Sequence, residues 1–452
     1  MLIIQEGNQK SLSYLLAQGK NVGGNRPMKY CIQHPVEDGM LLLNHVTMEL
    51  LFVSHEEMKE FFTTEYACEH WFSVPEETDE LALVQKLRKE LAGTQEDQKL
   101  HSFLMYLVFT TTCCNARCPY CYEIGHHNNI TMKKETAEKV ADFIMERTLP
   151  EQTILLAWMG GEPLLNTAAM DIICNRIRAA GRKYMSNIAT NAYLFSEELV
   201  QKAADLWQMD TVQITIDGLE EEYNTIKGYT DKSAKLESPF QRVLGNIGKL
   251  LNAGIKVSVH LYVSENNGDD IIALIALLFR KFGPNKNLDI VICSYFQRIF
   301  DEFNAHEEET EKAITDNFIR ALEMTRRCGY YRPKMHSEMQ SAHCNPDRNR
   351  QLNIMPDGKI GWCDDIIDRD FIGTIDSQKL DSEVILKYKE RMEDLPECTD
   401  CPLYPGCIRL KCCFRDLPWC TSQFKRLKRY KLEMDMSCLY QKKLSKMRKY
   451  EK

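Results

Sequence analysis

The chain has 452 residues, 44% of them hydrophobic and 27% charged, an ordinary globular composition with length enough for two or three domains. A net charge of -8, from 57 basic and 65 acidic residues, argues against a general nucleic-acid coat protein. No apolar run approaches the roughly 18 to 20 residues that span a bilayer, and Met1–Glu6 lacks the basic and apolar regions of a signal peptide, so a soluble cytoplasmic protein is expected.

In chain order, residues 1–98 read as a small separate unit. Two apolar runs, Lys29–Val36 and Met40–Val46, flank Glu37-Asp38-Gly39, a hairpin turn signal. Short helices are expected at Glu56–Phe62 and Glu80–Leu91, and Gly93–Gln98 reads as a linker. Residues 99–335 then alternate strand-like and helix-like stretches. The strands are Phe103–Thr112, Ile154–Met159, Met185–Thr190, Val212–Asp217, Ile255–Val263 and Leu288–Tyr295. The helices are Lys134–Arg147, Thr167–Ala180, Glu197–Gln208, Phe240–Leu251 and Asp269–Phe282. This rhythm predicts parallel βα units, in an α/β barrel or a doubly wound sheet, with the active site at the carboxyl ends of the strands. The acidic stretch Asp301–Glu311 reads as the start of a solvated helix. From residue 336 the rhythm gives way to turn-rich, cysteine-rich sequence, and Phe424–Lys452, with eleven Lys or Arg against three acidic residues, reads as a solvated basic helix.

The 18 cysteines are the outlier of the composition. Disulfides rarely persist in the cytosol, so these thiols are expected to hold metal, do chemistry or fill core. Cys31, Cys68, Cys174, Cys293 and Cys328 stand singly and read as small core residues. Directly after the first barrel strand comes Cys113-Cys114-Asn115-Ala116-Arg117-Cys118-Pro119-Tyr120-Cys121. Its Cys114-x3-Cys118-x2-Cys121 spacing puts three thiolates on one tight loop, one fewer than a closed structural zinc site uses. A zinc loop completed by a remote ligand is the alternative, and Cys113 reads as a bystander.

This loop, with Tyr120 before its last cysteine, resembles the signature of the radical S-adenosylmethionine (SAM) superfamily. The resemblance implies a partial (β/α)6 TIM-like barrel and a 4Fe-4S cluster held by Cys114, Cys118 and Cys121, with SAM on the fourth iron. Later segments are similar to family elements at successive strand ends: Gly160-Gly161-Glu162-Pro163, Thr190-Asn191-Ala192 and Thr215-Ile216-Asp217-Gly218. They imply SAM contacts from Tyr120, Gly160, Gly161, Glu162, Asn191, Thr215 and Asp217. Ala192 departs from the family's glycine and puts a positive-φ turn there in doubt. His260 is expected to be a core or surface residue, according to strand register.

Cys344, Cys363, Cys398, Cys401, Cys407, Cys412, Cys413 and Cys420 resemble the SPASM extension of this superfamily, which implies two auxiliary 4Fe-4S clusters in a domain spanning 336–452. One would use Cys344, Cys363 and either Cys412 or Cys413; the other would use Cys398, Cys401, Cys407 and Cys420. Lys411 occupies the position of the family's next cysteine, so Cys412 or Cys413 must substitute, and a zinc ribbon is the alternative. SPASM-bearing relatives imply a peptide maturase acting on a leader-bearing precursor peptide, with thioether or carbon–carbon crosslinks as product and flavodoxin or ferredoxin as electron donor. Residues 1–98 would then be a winged-helix-like leader-binding domain. The other readings are a sulfatase maturase that forms formylglycine and, in another class, a zinc-binding interaction protein.

Overall fold

The computed structural model describes residues 1–7, 26–87, 105–121, 129–230, 237–294, 308–333, 351–363, 370–381, 383–384, 396–401, 403–405 and 420–450. The expected linker at 93–98, and Cys344, Cys407, Cys412 and Cys413, lie outside the described residues. Among the described residues no helix is long and apolar enough to cross a membrane. The chain forms two compact units, one of residues 1–100, 333–344 and 389–452, the other of 101–332 and 345–388. The 336–452 stretch is therefore distributed between them.

In the first unit, strands β1 (Leu2–Gln5), β3 (Cys31–Val36), β4 (Gly39–Asn44) and β5 (Glu49–Ser54) form an antiparallel sheet in the order β1-β5-β4-β3. A short β2 (Arg26–Pro27) pairs instead with β6 (Ser73–Val74). The Asp38-Gly39 signal gives the expected hairpin, with Val36 opposite Gly39. Gly39 is required there, because a β-carbon would come 2.2 Å from the Val53 carbonyl oxygen. The helix expected at Glu56–Phe62 is two 3-10 turns, Glu57–Lys59 and Phe61–Thr63, followed by helix α1 (Glu65–Glu69) capped by the Thr64 hydroxyl. Leu42, Leu51 and Val53 on one sheet face pack with Phe61, Ala67 and Phe72. The opposite face, carrying Ile32, Leu41, Leu43 and Leu50, is covered by Met436 and Tyr440 of a long C-terminal helix, Ser422–Tyr450. That helix is thus not solvated all round, as its basic composition suggests. It carries an apolar stripe at Leu432, Met436, Leu439, Tyr440 and Leu444, the i, i+4, i+7, i+8, i+12 spacing of a buried helix face.

The second unit contains a nine-stranded sheet. Strands β7 (Met105–Thr111), β8 (Ile154–Gly160), β9 (Tyr184–Thr190), β10 (Met209–Thr215), β11 (Lys256–Val263) and β12 (Leu288–Ser294) follow one another in space as in sequence, all parallel. The intervening helices are α2 (Lys134–Glu146), α3 (Thr167–Ala179), α4 (Glu197–Asp205), α5 (Glu220–Lys227), α6 (Pro239–Asn252) and α7 (Gly268–Phe282). All six expected strands and five expected helices are present within a few residues of their predicted bounds; α5 is additional. Beyond β7 the sheet continues through β13 (Gln351–Ile354), parallel to it, then antiparallel β14 (Lys359–Gly361) and β15 (Gly373–Thr374). The acidic stretch leads into a helix, α8 (Glu308–Arg327), one face of which buries Ile314, Phe318, Ala321 and Leu322.

Alternation along the strands sorts the side chains. Val212, Ile214, Val257, Val259 and Leu261 are buried on one face, as are Val243, Leu244, Ile247 and Leu250 of α6. The other face carries Leu107, Phe109, Ala157 and Met355 as an apolar floor, with Gln213, Thr215, Ser258, His260 and Cys293 half-buried at its far side.

Candidate active site

The cysteine loop leaves the carboxyl end of β7 and is fixed by its backbone. Arg117 N–H donates to the Lys227 carbonyl at 2.7 Å, Thr230 N–H to the Asn115 carbonyl at 2.9 Å, and Glu162 N–H to the Cys113 carbonyl at 2.9 Å. Cys114, Cys118 and Cys121 are half-buried on this loop, and the Cys114 sulfur accepts the Ala116 N–H at 3.4 Å. Burial pushes the Cys114 thiol up to about 12, against the Ala116 hydrogen bond, and Glu162, Cys118 and Cys121 raise it further. Cys114 thus feels the charge of both other loop cysteines, and three soft sulfur donors on one loop are a set that gains from positive charge, as thiolates bound to iron do. Among the described residues no three His, Cys, Asp or Glu side chains form a group compact enough for a single metal ion. Cys113 turns aside, its sulfur 3.8 Å from Asn129 Oδ1 and 3.9 Å from the Thr131 hydroxyl.

The glycine pair after β8 makes room for this loop. A β-carbon on Gly160, whose φ is +122°, would lie 2.2 Å from the Thr111 carbonyl oxygen, and one on Gly161 would lie 2.4 Å from that of Cys113. The two missing side chains thus admit protein backbone at these points. Gly160→Ala combines a steric clash with an unfavourable φ and is expected to destabilise this unit by at least about 2 kcal/mol in urea titration. The Glu162 carboxylate, fully buried, accepts from the Thr190 hydroxyl at 2.7 Å, Asn191 N–H at 2.9 Å and Leu164 N–H at 3.1 Å. Burial raises its pKa, and the three hydrogen bonds oppose that shift. As placed, Glu162 ties the end of β8 to the end of β9.

Asn191 and Asn115 join the loop to β9 through their amides, Asn191 Nδ2 to Asn115 Oδ1 at 2.7 Å. Ala192 adopts φ +59°, so the turn after β9 exists despite the missing glycine. It is held by Ala192 N–H donating to the Thr190 hydroxyl at 3.0 Å and by Asn246 Nδ2 donating to the Ala192 carbonyl at 2.9 Å. A left-handed L-residue costs roughly 1–2 kcal/mol. Ala192→Gly should therefore raise stability by up to about 1 kcal/mol after the lost methyl burial, read as a higher melting temperature.

Asp217, two residues beyond β10, meets Tyr120 from the loop and Lys227 from the last turn of α5. Lys227 Nζ lies 2.8 Å from Asp217 Oδ2, the Tyr120 hydroxyl donates to the same oxygen at 2.6 Å, and Nζ donates to the Tyr120 hydroxyl at 3.0 Å. Both charged side chains are almost wholly buried, and among the described residues Asp217 Oδ1 has no hydrogen-bond partner, nor has buried Asn115 Nδ2. These open polar atoms on the loop and beside it are what a polar cofactor could satisfy. Burial draws the Lys227 ammonium down, yet Asp217, then Tyr120 and Cys118, outweigh it and hold its pKa well above the ordinary lysine value. Lys227 and Asn115 escape sequence reading, since an isolated lysine at the end of an acidic helix reads as a solvated dipole partner.

Thr215 ends β10 half-buried, opposite His260 in the register with β11. The structure thus brings Cys114, Cys118, Cys121, Tyr120, Gly160, Gly161, Glu162, Asn191, Thr215 and Asp217 to the carboxyl ends of consecutive strands. Of the second cysteine group, buried Cys363 follows β14 in the barrel unit, and its carbonyl accepts Asn353 Nδ2 at 2.6 Å. Gly358, at φ +86°, makes the β13–β14 turn. Cys398 and Cys401 share one turn in the other unit, Cys401 N–H donating to the Cys398 carbonyl at 3.0 Å, and Cys420 stands just before the C-terminal helix.

A parallel βα sheet whose first strand end carries three cysteines, with a glycine pair against that loop, defines a class. Residues 108–278 match the model of the radical SAM superfamily. The chain thus carries a radical SAM domain over these residues. It is similar to GTP 3',8-cyclase of Clostridium perfringens (strain SM101 / Type A), 26% identical over 173 residues, 38% of this chain and 50% of that protein. It is also similar to Fe-coproporphyrin III synthase of Methanosarcina barkeri (strain Fusaro / DSM 804), 22% identical over 168 residues, 37% and 39% of the two chains. The chain thus spans half or less of the length of these curated relatives. In fold it is similar to native anSMEcpe with bound AdoMet and Cp18Cys peptide, with a TM-score of 0.57 at 16% identity, covering 75% of this chain and 99% of that one.

Proposed function

We propose that this enzyme cleaves SAM reductively and uses the resulting radical to modify a ribosomally made precursor peptide, forming a thioether or carbon–carbon crosslink. The observation that carries the reading is the three-cysteine loop, braced through Lys227, Glu162 and Asn115 at the carboxyl end of the first barrel strand. Cys114, Cys118 and Cys121 would hold the SAM-binding 4Fe-4S cluster, and Tyr120, Gly160, Gly161, Glu162, Asn191, Thr215 and Asp217 would form the SAM site. Bound together, the reduced cluster and SAM supply a 5'-deoxyadenosyl radical. The chain's own part is to fix the loop, exclude water with its apolar floor and present the concave face to substrate. Cys363, Cys398, Cys401, Cys420, Cys344, Cys407 and Cys412 or Cys413 would hold two auxiliary clusters in a SPASM-type arrangement that takes up the electron released on crosslinking. Flavodoxin or ferredoxin would supply the reducing electron. Leader recognition would fall to the sheet β1-β5-β4-β3, whose edge strands can accept an added strand. Thiolate ligands of this number fit a reducing cytoplasm.

The test is anaerobic reconstitution with iron and sulfide, then SAM, dithionite and the short peptide encoded beside the enzyme's own gene. 5'-Deoxyadenosine and a peptide lighter by two hydrogens are expected, both lost when Cys114, Cys118 and Cys121 are changed to Ala. Formylglycine in a Cys-containing sulfatase peptide would replace this reading with the sulfatase maturase. A protein that takes up only zinc and makes no 5'-deoxyadenosine would falsify both.

A further inference from the structure

We infer that Cys293, backed by His260, is a hydrogen donor that returns hydrogen to a carbon radical formed over the barrel floor. The inference rests on the SAM-cleaving reading above. Cys293 is the penultimate residue of β12, so it stands at the same carboxyl rim as the cysteine loop. Its sulfur lies 3.7 Å from His260 Nδ1 on the neighbouring strand. Register puts Cys293 opposite Tyr262 and His260 opposite Thr215, so these four residues share one face of the sheet, the face away from the aliphatic side packed by the helices. The Tyr262 ring centroid is 6.0 Å from that of Tyr120, in the cysteine loop. A half-buried thiol beside an imidazole therefore sits on the face that the site uses, while the helix-facing side of the same strands is aliphatic.

The chemistry of a thiol suits this place. An S–H bond is weaker than most C–H bonds, so a carbon radical takes the Cys293 hydrogen, forming C–H and leaving a thiyl radical. One electron from the one-electron donor that drives the enzyme reduces the thiyl to thiolate, and the proton that restores the thiol comes from protonated His260 across the 3.7 Å contact. The exit is redox-neutral at the substrate. A radical that no neighbouring side chain captures ends with exchanged hydrogen, or inverted configuration, and no loss of mass.

Two measurements on the reconstituted full-length enzyme test this. Without SAM or reductant, iodoacetamide labelling mapped by peptide should modify Cys293, and His260→Gln should slow that labelling at least five-fold. Unlabelled Cys293, or the same rate in the variant, overturns the pairing. With SAM and dithionite in D2O and no peptide, the deuterated fraction of 5'-deoxyadenosine should fall at least five-fold in Cys293→Ala, a ratio independent of how much forms. An unchanged fraction overturns the donor role while leaving SAM cleavage intact. Absence of 5'-deoxyadenosine from the wild type overturns the SAM-cleaving reading and this inference with it.

Discussion

Replacing Lys227 with Met is expected to cost the barrel unit about 3–5 kcal/mol, the penalty of leaving one partner of a buried ion pair uncompensated. Among the described residues Asp217 would keep only the Tyr120 hydroxyl on Oδ2, with Oδ1 already without a partner. Lys227 also brackets the cysteine loop from two sides, its carbonyl taking Arg117 N–H and its ammonium donating to Tyr120, so that Cys118 is held between the two contacts. Loosening them should lower iron retained after reconstitution as well as the urea midpoint. Because Lys227 is held charged well above its ordinary range, its stabilisation is complete at neutral pH. It fades only as pH climbs past the unfolded lysine value of about 10.4 towards the folded one. Lys227→Arg should keep most of the iron. The double variant Lys227→Met with Asp217→Asn should recover more than half of the lost stability, since both charges are then gone. A single variant that loses under about 1 kcal/mol, or a double variant no better than the single, would show that the pair carries no such weight.

Much of this site was legible in sequence because its parts are local. Cys114-x3-Cys118-x2-Cys121 lies within eight residues, and each later element directly follows an apolar run that must be a strand. What stayed hidden is what depends on register or on remote partners. His260 and Cys293 are 33 positions apart, and only strand pairing shows that they meet. Lys227 is 107 residues from Tyr120, in a helix whose first turn is a run of three glutamates. The departure at Ala192 was an ambiguous sign, because a strained alanine held by Thr190 and Asn246 makes the same turn as glycine. At the C-terminus, counting charges concealed a stripe that the 3.6-residue period displays.

That stripe carries the other large effect. Ending the chain at Thr421 should unfold the sheet β1-β5-β4-β3, because Ile32, Leu41, Leu43 and Leu50 would lose the cover of Met436 and Tyr440. Burying each of the latter two is worth about 1.5–3 kcal/mol, comparable to the whole stability margin of a small unit. A polar and an aromatic contact fix the helix in register, His34 Nε2 standing 3.0 Å from the Ser437 hydroxyl and the Phe52 and Tyr440 rings stacking at 4.8 Å. Met436→Ala alone should cost about 2–5 kcal/mol. Changing exposed Lys442, Lys446 and Arg448 to Ala should move stability by no more than about 0.5 kcal/mol each, as their side chains stand in solvent. Hydrogen exchange read by mass spectrometry over residues 31–54 decides the matter. Lost protection in the truncation and in Met436→Ala, with the basic triple variant unchanged, makes the helix part of the N-terminal core. Protection that survives truncation would return the segment to a solvated basic tail, free to serve a partner by charge alone.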